Sequence, residues 1–219
     1  LPGKVMKDLL GQPLLYRIVE RISRAELLDE VVIATTDHPI DDVIELSAAW
    51  RGVRVFRGSE EDVLDRYYQA AKASGADIVI RVCADNPLTE PRFIDIGARQ
   101  LLASGADYVH PGNIPLGSNV WTMKFSTLES AALNAREADE REHVVPYIIK
   151  HPDIFKIVPL DVPVSLQRPD LHITIDTMED YNFIYRLFYH FRKSEMKDVL
   201  LEDIIAYWDS EAIKAGGQL

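Results

Sequence analysis

The feature that most constrains the fold is a repeated alternation between short apolar runs and longer segments with helical periodicity. Residues 31–34 (VVIA) and 78–80 (IVI, running on to Val82) are continuously apolar, and residues 53–56, 108–109 and 173–175 are shorter examples. A strand that is covered by helices on both faces needs apolar side chains at nearly every position. The alternation therefore predicts an α/β protein with a doubly wound, mostly parallel sheet.

Helical segments lie between these runs. Leu14, Ile18 and Ile22 recur at helical spacing and predict an amphipathic helix. Residues 59–62 (SEED) fit a capping signature for a helix that Gly75 can end, and residues 177–180 (TMED) predict the start of another.

Length and charge restrict the function. A chain of 219 residues fits one domain with one main core. Its 24 basic and 35 acidic side chains give a formal net charge of −11, which argues against nucleic-acid binding because phosphate backbones require clustered cations. No apolar stretch approaches the roughly 20 residues of a membrane span, and no signal peptide is visible. The single cysteine, Cys83, excludes an internal disulfide, so we expect a cytoplasmic protein that binds no membrane.

Residues 112–167 differ from the rest of the chain in composition and in their expected secondary structure. They are rich in proline and contain two expected helices and a strand-like segment at residues 155–160. We interpret them as a small subdomain inserted into a single domain that spans residues 1–219. A loop-rich edge of the same sheet is the alternative.

Two acidic residues follow apolar runs of the predicted sheet. Asp85 comes after residues 78–82, and Asp176 comes after residues 173–175. In an open α/β sheet, ligands bind beyond the carboxyl ends of the strands. Mg²⁺ takes one or two protein carboxylates and completes its shell with water and phosphate oxygens. The pair predicts a magnesium site, although each aspartate could instead cap the helix that follows it.

Three basic residues are candidates for phosphate or nucleotide contacts. Lys4 ends the turn Leu-Pro-Gly-Lys, and Arg57 and Arg66 flank a predicted helix start. Taken singly, they are better explained as an exposed lysine, a turn residue and a surface ion pair.

Several common catalytic motifs are absent from the sequence. The six histidines show no zinc-binding spacing, and there is no GxSxG elbow. The patterns GxGxxG and GxxxxGK[ST] are also missing, which argues against a dinucleotide-binding domain and a Walker-type nucleotidase.

Taken together, these segments resemble the cytidylyltransferase family, which includes the CMP-sialic-acid and CMP-KDO synthetases, and within it the branch named for spore-coat polysaccharide biosynthesis. The markers are residues 1–4 (LPGK), 11–14 (GQPL), 31–36 (VVIATT), 56–68 (FRGSEEDVLDRYY), 84–88 (ADNPL), 141–148 (REHVVPYI) and 173–180 (ITIDTMED). They extend over nearly the whole chain, and the long motif at residues 56–68 is highly specific.

The resemblance implies a Rossmann-like fold of the nucleotide-diphospho-sugar transferase type. It also implies a Mg²⁺-dependent reaction in which a sugar hydroxyl attacks the α-phosphate of CTP. It implies that Asp85 and Asp176 hold the metal and that Lys4 contacts the triphosphate. It also implies a homodimer that involves the inserted subdomain. The remaining implied sites are Arg57 and Arg66 near the nucleotide and Asn119, Arg141 and His143 on the sugar side.

The chain departs from the family pattern in three places. The family begins with a central strand and a phosphate-binding loop before Leu-Pro-Gly-Lys, and this sequence starts after them, so we expect a trimmed chain. Ala84 stands where the family has glycine, with Cys83 before it, and Asn119, Trp121 and Thr122 stand where the related branch tends to carry acidic residues.

Three functions are therefore open. The first is CMP transfer from CTP to a sugar acid. The second keeps the fold but uses another nucleotide or a sugar 1-phosphate. The third is a non-catalytic module that binds a nucleotide or a sugar.

Overall fold

The computed structural model describes residues 1–194 and 196–214. Helices and strands alternate along most of the chain, which confirms the α/β class. The helices are α1 (Leu14–Ile22), α2 (Asp42–Arg51), α3 (Val63–Ser74), α4 (Pro91–Ser104), α5 (Phe125–Asn134), α6 (Ala138–His143), α7 (Pro146–Lys150), α8 (Met178–His190) and α9 (Leu201–Lys214). The strands are β1 (Val32–Thr36), β2 (Arg54–Gly58), β3 (Ile78–Arg81), β4 (Tyr108–His110), β5 (Trp121–Lys124) and β6 (Ile157–Pro159).

The strands form two sheets within the described residues. β1 and β2 pair in parallel, and the second sheet has the order β3-β5-β4-β6. In that sheet β4 and β6 are parallel, whereas β5 runs antiparallel to both β3 and β4. The parallel pairs agree with the prediction, and β5 is an antiparallel strand that the apolar runs did not indicate.

A gap separates the two sheets. β1 pairs only with β2, and β3 pairs only with β5, so the other edge of each strand has no strand partner in the part of the chain described. A cavity of about 470 Å³ lies there, lined by Val32 and Ala34 of β1, by Ile78 and Ile80 of β3, and by side chains of α3 and α4.

Helix boundaries follow the capping signals. The carboxylate of Asp62 accepts a hydrogen bond from the backbone N–H of Asp65 at 2.9 Å, and Gly75 ends α3 with a φ of 64°. A capping box between Thr177 and Asp180 starts α8. These observations confirm the two predicted helix starts, because short polar side chains there satisfy N–H groups that have no partner within the helix.

The predicted strand at residues 173–175 is wrong, because this segment is buried but belongs to no strand. The backbone N–H of Ile173 donates to the carbonyl of Leu116 at 2.8 Å, and that of Ile175 donates to the carbonyl of Asp85 at 2.9 Å. The backbone N–H groups of this segment therefore bond to two different loops, and they do not form a continuous ladder with one strand. A continuous apolar run indicates burial, and burial does not require strand pairing.

Residues 112–167 contribute directly to the main sheet. They supply β5 and β6 and also the three helices α5, α6 and α7. The boundaries of an inserted subdomain stay a prediction.

The interior consists of three apolar clusters. The largest lies among α1, α4, α8 and α9, a second lies between α3, α5 and one face of the four-stranded sheet, and a small one joins α1, β1 and α2. No helix within the described ranges is long and apolar enough to cross a membrane.

Candidate active site

Three charged side chains that are distant in sequence meet beyond the end of β3. The ammonium group of Lys4 lies 3.0 Å from Oδ2 of Asp85 and 3.1 Å from Oδ1 of Asp176. It also donates to the backbone carbonyl of Ile175 at 2.7 Å. The side chains of Lys4 and Asp85 are 22% and 29% exposed, whereas that of Asp176 is 61% exposed, so the cluster is open on the Asp176 side.

Local backbone structure brings Lys4 to this position. Gly3 has a φ of 67°, in the left-handed region that favours glycine, and it starts a short 3₁₀ turn at Lys4–Met6. The backbone nitrogen of Leu1 donates to the carbonyl of Asp176 at 3.3 Å. The first turn of the chain is therefore held against the loop that carries the second carboxylate.

Neither aspartate caps the following helix. Glu90 is the N-cap of α4 and Thr177 is the N-cap of α8. The side chains of Asp85 and Asp176 both contact Lys4 instead. The helix-cap alternative for these two residues is therefore wrong, because the helix starts are already capped by other side chains.

The electrostatics of the cluster favour a cation between the two carboxylates. Burial alone would lower the pKa of Lys4, but hydrogen bonds to Asp85 and Asp176 and the charges of both carboxylates outweigh it and raise that pKa. Two carboxylates that converge on one cation fit the hard oxygen ligands that Mg²⁺ takes in proteins. Among the described residues no group of three or more histidine, cysteine or acidic side chains is arranged to hold a metal, so Asp85 and Asp176 would need phosphate or water oxygens to complete a shell.

Arg57 forms ion pairs and hydrogen bonds with residues outside this cluster. Its guanidinium lies 2.6 Å from Asp42 and 2.8 Å from Glu45, both on α2. It also donates to the carbonyls of Thr36 and His38. In this structure the side chain of Arg57 connects β2 to α2 and to the end of β1.

The side chains of Arg66 and Arg141 both contact the segment that precedes α3. Arg66 donates to the carbonyl of Ser59 at 2.6 Å, and its buried Nε has no hydrogen-bond partner. Arg141, on α6, holds the carboxylate of Asp62 through Nε at 2.9 Å and through a second guanidinium nitrogen. Arg66, from α3, and Arg141, from α6, therefore both hold the loop at residues 59–62 in place.

Asn119 and His143 differ in exposure. Asn119 is buried, and its Oδ1 accepts from the backbone N–H of Gly117 at 2.8 Å. Gly117 has a φ of 106°, and a Cβ there would lie 2.6 Å from the backbone of Ile173, so only glycine allows this close approach. His143 is 58% exposed at the end of α6, 3.8 Å from Asp139.

The sequence analysis missed a polar group on one face of the four-stranded sheet. Arg81 stacks against Trp121, with 4.5 Å between Cζ and the ring centroid, and the buried hydroxyl of Tyr108 has no hydrogen-bond partner. A signal was present, because Arg81 interrupts the apolar residues 78–82. A cation inside a buried run has a structural or functional reason to be there.

Comparison with known proteins indicates the family of this chain. A family model described as cytidylyltransferase matches residues 1–213. The chain is 35% identical over 210 residues to the spore coat polysaccharide biosynthesis protein SpsF of Bacillus subtilis, covering 94% of this chain and 87% of that protein. It is 39% identical over 209 residues to an uncharacterised protein of Methanocaldococcus jannaschii, covering 95% of this chain and 85% of the relative.

More distant sequence similarity and structural similarity give the same family. A 3-deoxy-manno-octulosonate cytidylyltransferase of Pelobacter propionicus is 37% identical over 102 residues, which cover 46% of this chain and 39% of that protein. The structure of a cytidylyltransferase from Leptospira borgpetersenii superposes with a TM-score of 0.89 at 28% identity, covering 100% of this chain and 92% of the other. The chain belongs to the cytidylyltransferase family.

Proposed function

We propose that this protein transfers CMP from CTP to a hydroxyl group of a sugar acid or related sugar and releases pyrophosphate. The observation that carries the proposal is the convergence of Lys4, Asp85 and Asp176 at one edge of an α/β sheet, in a chain of the cytidylyltransferase family. The names of two relatives support an acidic sugar and a role in surface polysaccharide synthesis, since one is an octulosonate cytidylyltransferase and the other a spore coat polysaccharide protein.

In the proposed reaction the sugar oxygen forms a bond to the α-phosphorus of CTP. The bond from that phosphorus to the bridging oxygen breaks, pyrophosphate leaves, and the hydroxyl proton passes to solvent. Lys4 would contact the triphosphate, where a flexible ammonium group can follow developing negative charge. Binding both substrates in one orientation would supply much of the remaining rate enhancement.

We propose that Asp85 and Asp176 hold Mg²⁺ when CTP is bound. The fit rests on the two carboxylate oxygens that already approach a single cation, the ammonium of Lys4. When bound, the metal would offset negative charge on the phosphate oxygens. Lys4 would then exchange its contacts with the carboxylates for contacts with phosphate.

The other assigned roles stay predictions. Arg57 and Arg66 are proposed to lie near the nucleotide, and Asn119, Arg141 and His143 near the sugar. We also propose that the protein works in the cytoplasm as a homodimer.

Pyrophosphate release from CTP and Mg²⁺ with a panel of sugar acids tests the proposal. Replacement of Asp85 or Asp176 by Asn is expected to lower turnover at least about 100-fold, because a loss of roughly 3 kcal/mol of charge stabilisation in the transition state corresponds to that factor. EDTA should abolish release by the unmodified protein. Turnover that is unchanged in either variant would contradict the metal assignment.

The matched control is Asp107→Asn. Asp107 precedes β4 and pairs with Lys124 at 2.8 Å, away from the ends of strands where the cluster lies, so this variant should retain full turnover. Thermal unfolding with CTP, UTP, GTP or ATP separates the nucleotides, because a ligand that binds only the native state raises its stability. Protection by another nucleotide in preference to CTP would favour the second function, and CTP binding without any product would favour a binding module.

A further inference from the structure

Arg81 is a cation without a described counter-ion at the end of β3. Its guanidinium stacks on Trp121 at 4.5 Å and lies 5.8 Å from the ring centroid of Tyr67. Its Nε is buried and has no hydrogen-bond partner, and among the described residues no carboxylate lies within ion-pairing distance of it. The two aromatic rings therefore fix the position of the guanidinium without neutralising its charge.

A second unpaired donor lies on the same face of the sheet. Arg81 pairs across the ladder with Trp121, and Met123, two residues further along β5, is opposite Tyr108. Tyr108 is completely buried, and its hydroxyl has no partner. Both side chains lie on the face that carries Trp121 and Met123, because residues two apart along a strand point to the same side of the sheet. Burial raises the pKa of Tyr108, and the charge of Arg81 acts against this rise.

This face of the sheet adjoins the Lys4 cluster. Cys83 lies two residues beyond Arg81 and two before Asp85. The chain from Arg81 to Asp85, four residues on, can span at most about 14 Å, and the carboxylate of Asp85 contacts Lys4 at 3.0 Å. Arg81 and the proposed phosphate-binding groups therefore border a common region around Cys83.

The chemistry of the two donors indicates their ligand. A guanidinium can only donate hydrogen bonds, and a buried tyrosine hydroxyl with no acceptor needs one. A carboxylate supplies negative charge and planar acceptor geometry that matches a guanidinium. Water would satisfy the hydroxyl but would leave the positive charge of Arg81 uncompensated.

We propose that Arg81 and Tyr108 bind the carboxylate of the sugar acid, with Trp121 and Tyr67 holding the guanidinium in place. The inference rests on the proposed function and deepens it, since it assigns residues to the acidic group of the second substrate. It makes these two residues determinants of selectivity for acidic over neutral sugars.

The test compares an acid with its uncharged analogue. We would measure binding of 3-deoxy-manno-octulosonate and N-acetylneuraminate, and of the carboxamide of each, by calorimetry in the presence of CTP. Arg81→Gln is expected to weaken binding of the recognised acid about 10- to 100-fold, the range for a hydrogen bond to a charged group, with little effect on the carboxamide. Tyr108→Phe should weaken acid binding several-fold without lowering Tm, because it removes a hydroxyl that has no partner in the free protein.

Arg99→Gln is the matched control, since Arg99 lies on α4 and pairs only with the exposed Glu26 among the described residues. Equal affinity of the unmodified protein and Arg81→Gln for the acid would overturn the proposal. So would equal losses for acid and carboxamide, or the absence of any preference for an acid in the unmodified protein. A loss of the CTP-induced rise in Tm in Arg81→Gln would assign Arg81 to phosphate binding instead and would likewise overturn it.

Pyrophosphate release by the same proteins separates the two proposals. Acid binding that depends on Arg81 but yields no pyrophosphate would uphold the carboxylate site and contradict CMP transfer. Pyrophosphate release that is unaffected by Arg81→Gln would uphold CMP transfer and contradict the carboxylate site.

Discussion

At the scale of single residues, Lys4 acts as an internal cation for two carboxylates. Asp85 and Asp176 are 91 positions apart in sequence, and both lie within about 3 Å of the same ammonium group. Without a cation between them, two such charges would repel each other. The ammonium group of Lys4 offsets that repulsion and holds the two side chains close together.

Asp41 gives a residue-scale prediction about pH. Burial would raise the pKa of Asp41, but hydrogen bonds from the hydroxyls of Thr36 and Thr35 and from the backbone N–H of Thr36 outweigh it and lower the pKa. A carboxylate with a lowered pKa in the folded state stabilises the protein above the unfolded pKa, and this contribution disappears as pH falls through the folded pKa. Asp41→Asn should therefore lower the free energy of unfolding by about 1–3 kcal/mol at pH 7 and by much less near pH 3.

Urea unfolding at the two pH values measures this difference. The control is Asp153→Asn, at an exposed position, which should change stability little at either pH. A deficit of the Asp41 variant that is the same at pH 7 and pH 3 would show that its hydrogen bonds do not depend on the charge.

At the scale of helices and loops, Arg21 joins three parts of the fold. It is 2% exposed on α1, lies 3.6 Å from the carboxylate of Glu90, and donates to the carbonyls of Thr89, Met196 and Val199. Burial lowers the pKa of Arg21 to about 10, and the charge of Glu90 acts against that fall. The side chain thus connects α1 to the start of α4 and to the turn before α9.

Arg21→Gln should destabilise the fold by about 3 kcal/mol, because it removes a charged donor from the buried carbonyls of Thr89, Met196 and Val199. Glu90 keeps its ion pair with Arg92 at 2.7 Å. Arg99→Gln removes a surface ion pair with Glu26 and should cost at most about 1 kcal/mol. Chemical unfolding of the two variants compares these costs directly. Similar small losses in both would mean that the carbonyl contacts of Arg21 contribute little to the packing of α1.

At the scale of the whole molecule, the prediction is a homodimer that forms through residues 112–167. Leu133, Ile149 and Ile154 in this range are 59%, 53% and 56% exposed. Exposed apolar side chains of this kind are often covered by a symmetric partner. Light scattering should give twice the mass of the chain, and Ile149→Glu should shift the population towards single chains.

The control for this experiment is Leu102→Glu, which changes an equally apolar side chain, 71% exposed on α4, outside the range. It should leave the mass unchanged. A single-chain mass at all concentrations would contradict the dimer, and dissociation by Leu102→Glu alone would place the interface elsewhere.

Local sequence determined the class of the fold, the starts of α3 and α8, and the identity of the three charged residues in the cluster. These features could be predicted because apolar runs, capping side chains and turn glycines act over a few neighbouring residues. Strand β5 could not be predicted, since its four residues (WTMK) contain no continuous apolar run. The segment at residues 173–175 has such a run and forms no strand.

Only the tertiary structure decided which residues share a site. The sequence could equally place Asp85 and Asp176 on helix caps, and it could not show that Lys4 lies between them or that Arg57 is held by Asp42 and Glu45 instead. Arg81 and Tyr108 are 27 positions apart and lie on one face of the same sheet only because β5 pairs with both of their strands. The physical reason is the same in each case: side-chain chemistry is local to the sequence, whereas proximity depends on strand pairing and loop packing across the whole chain.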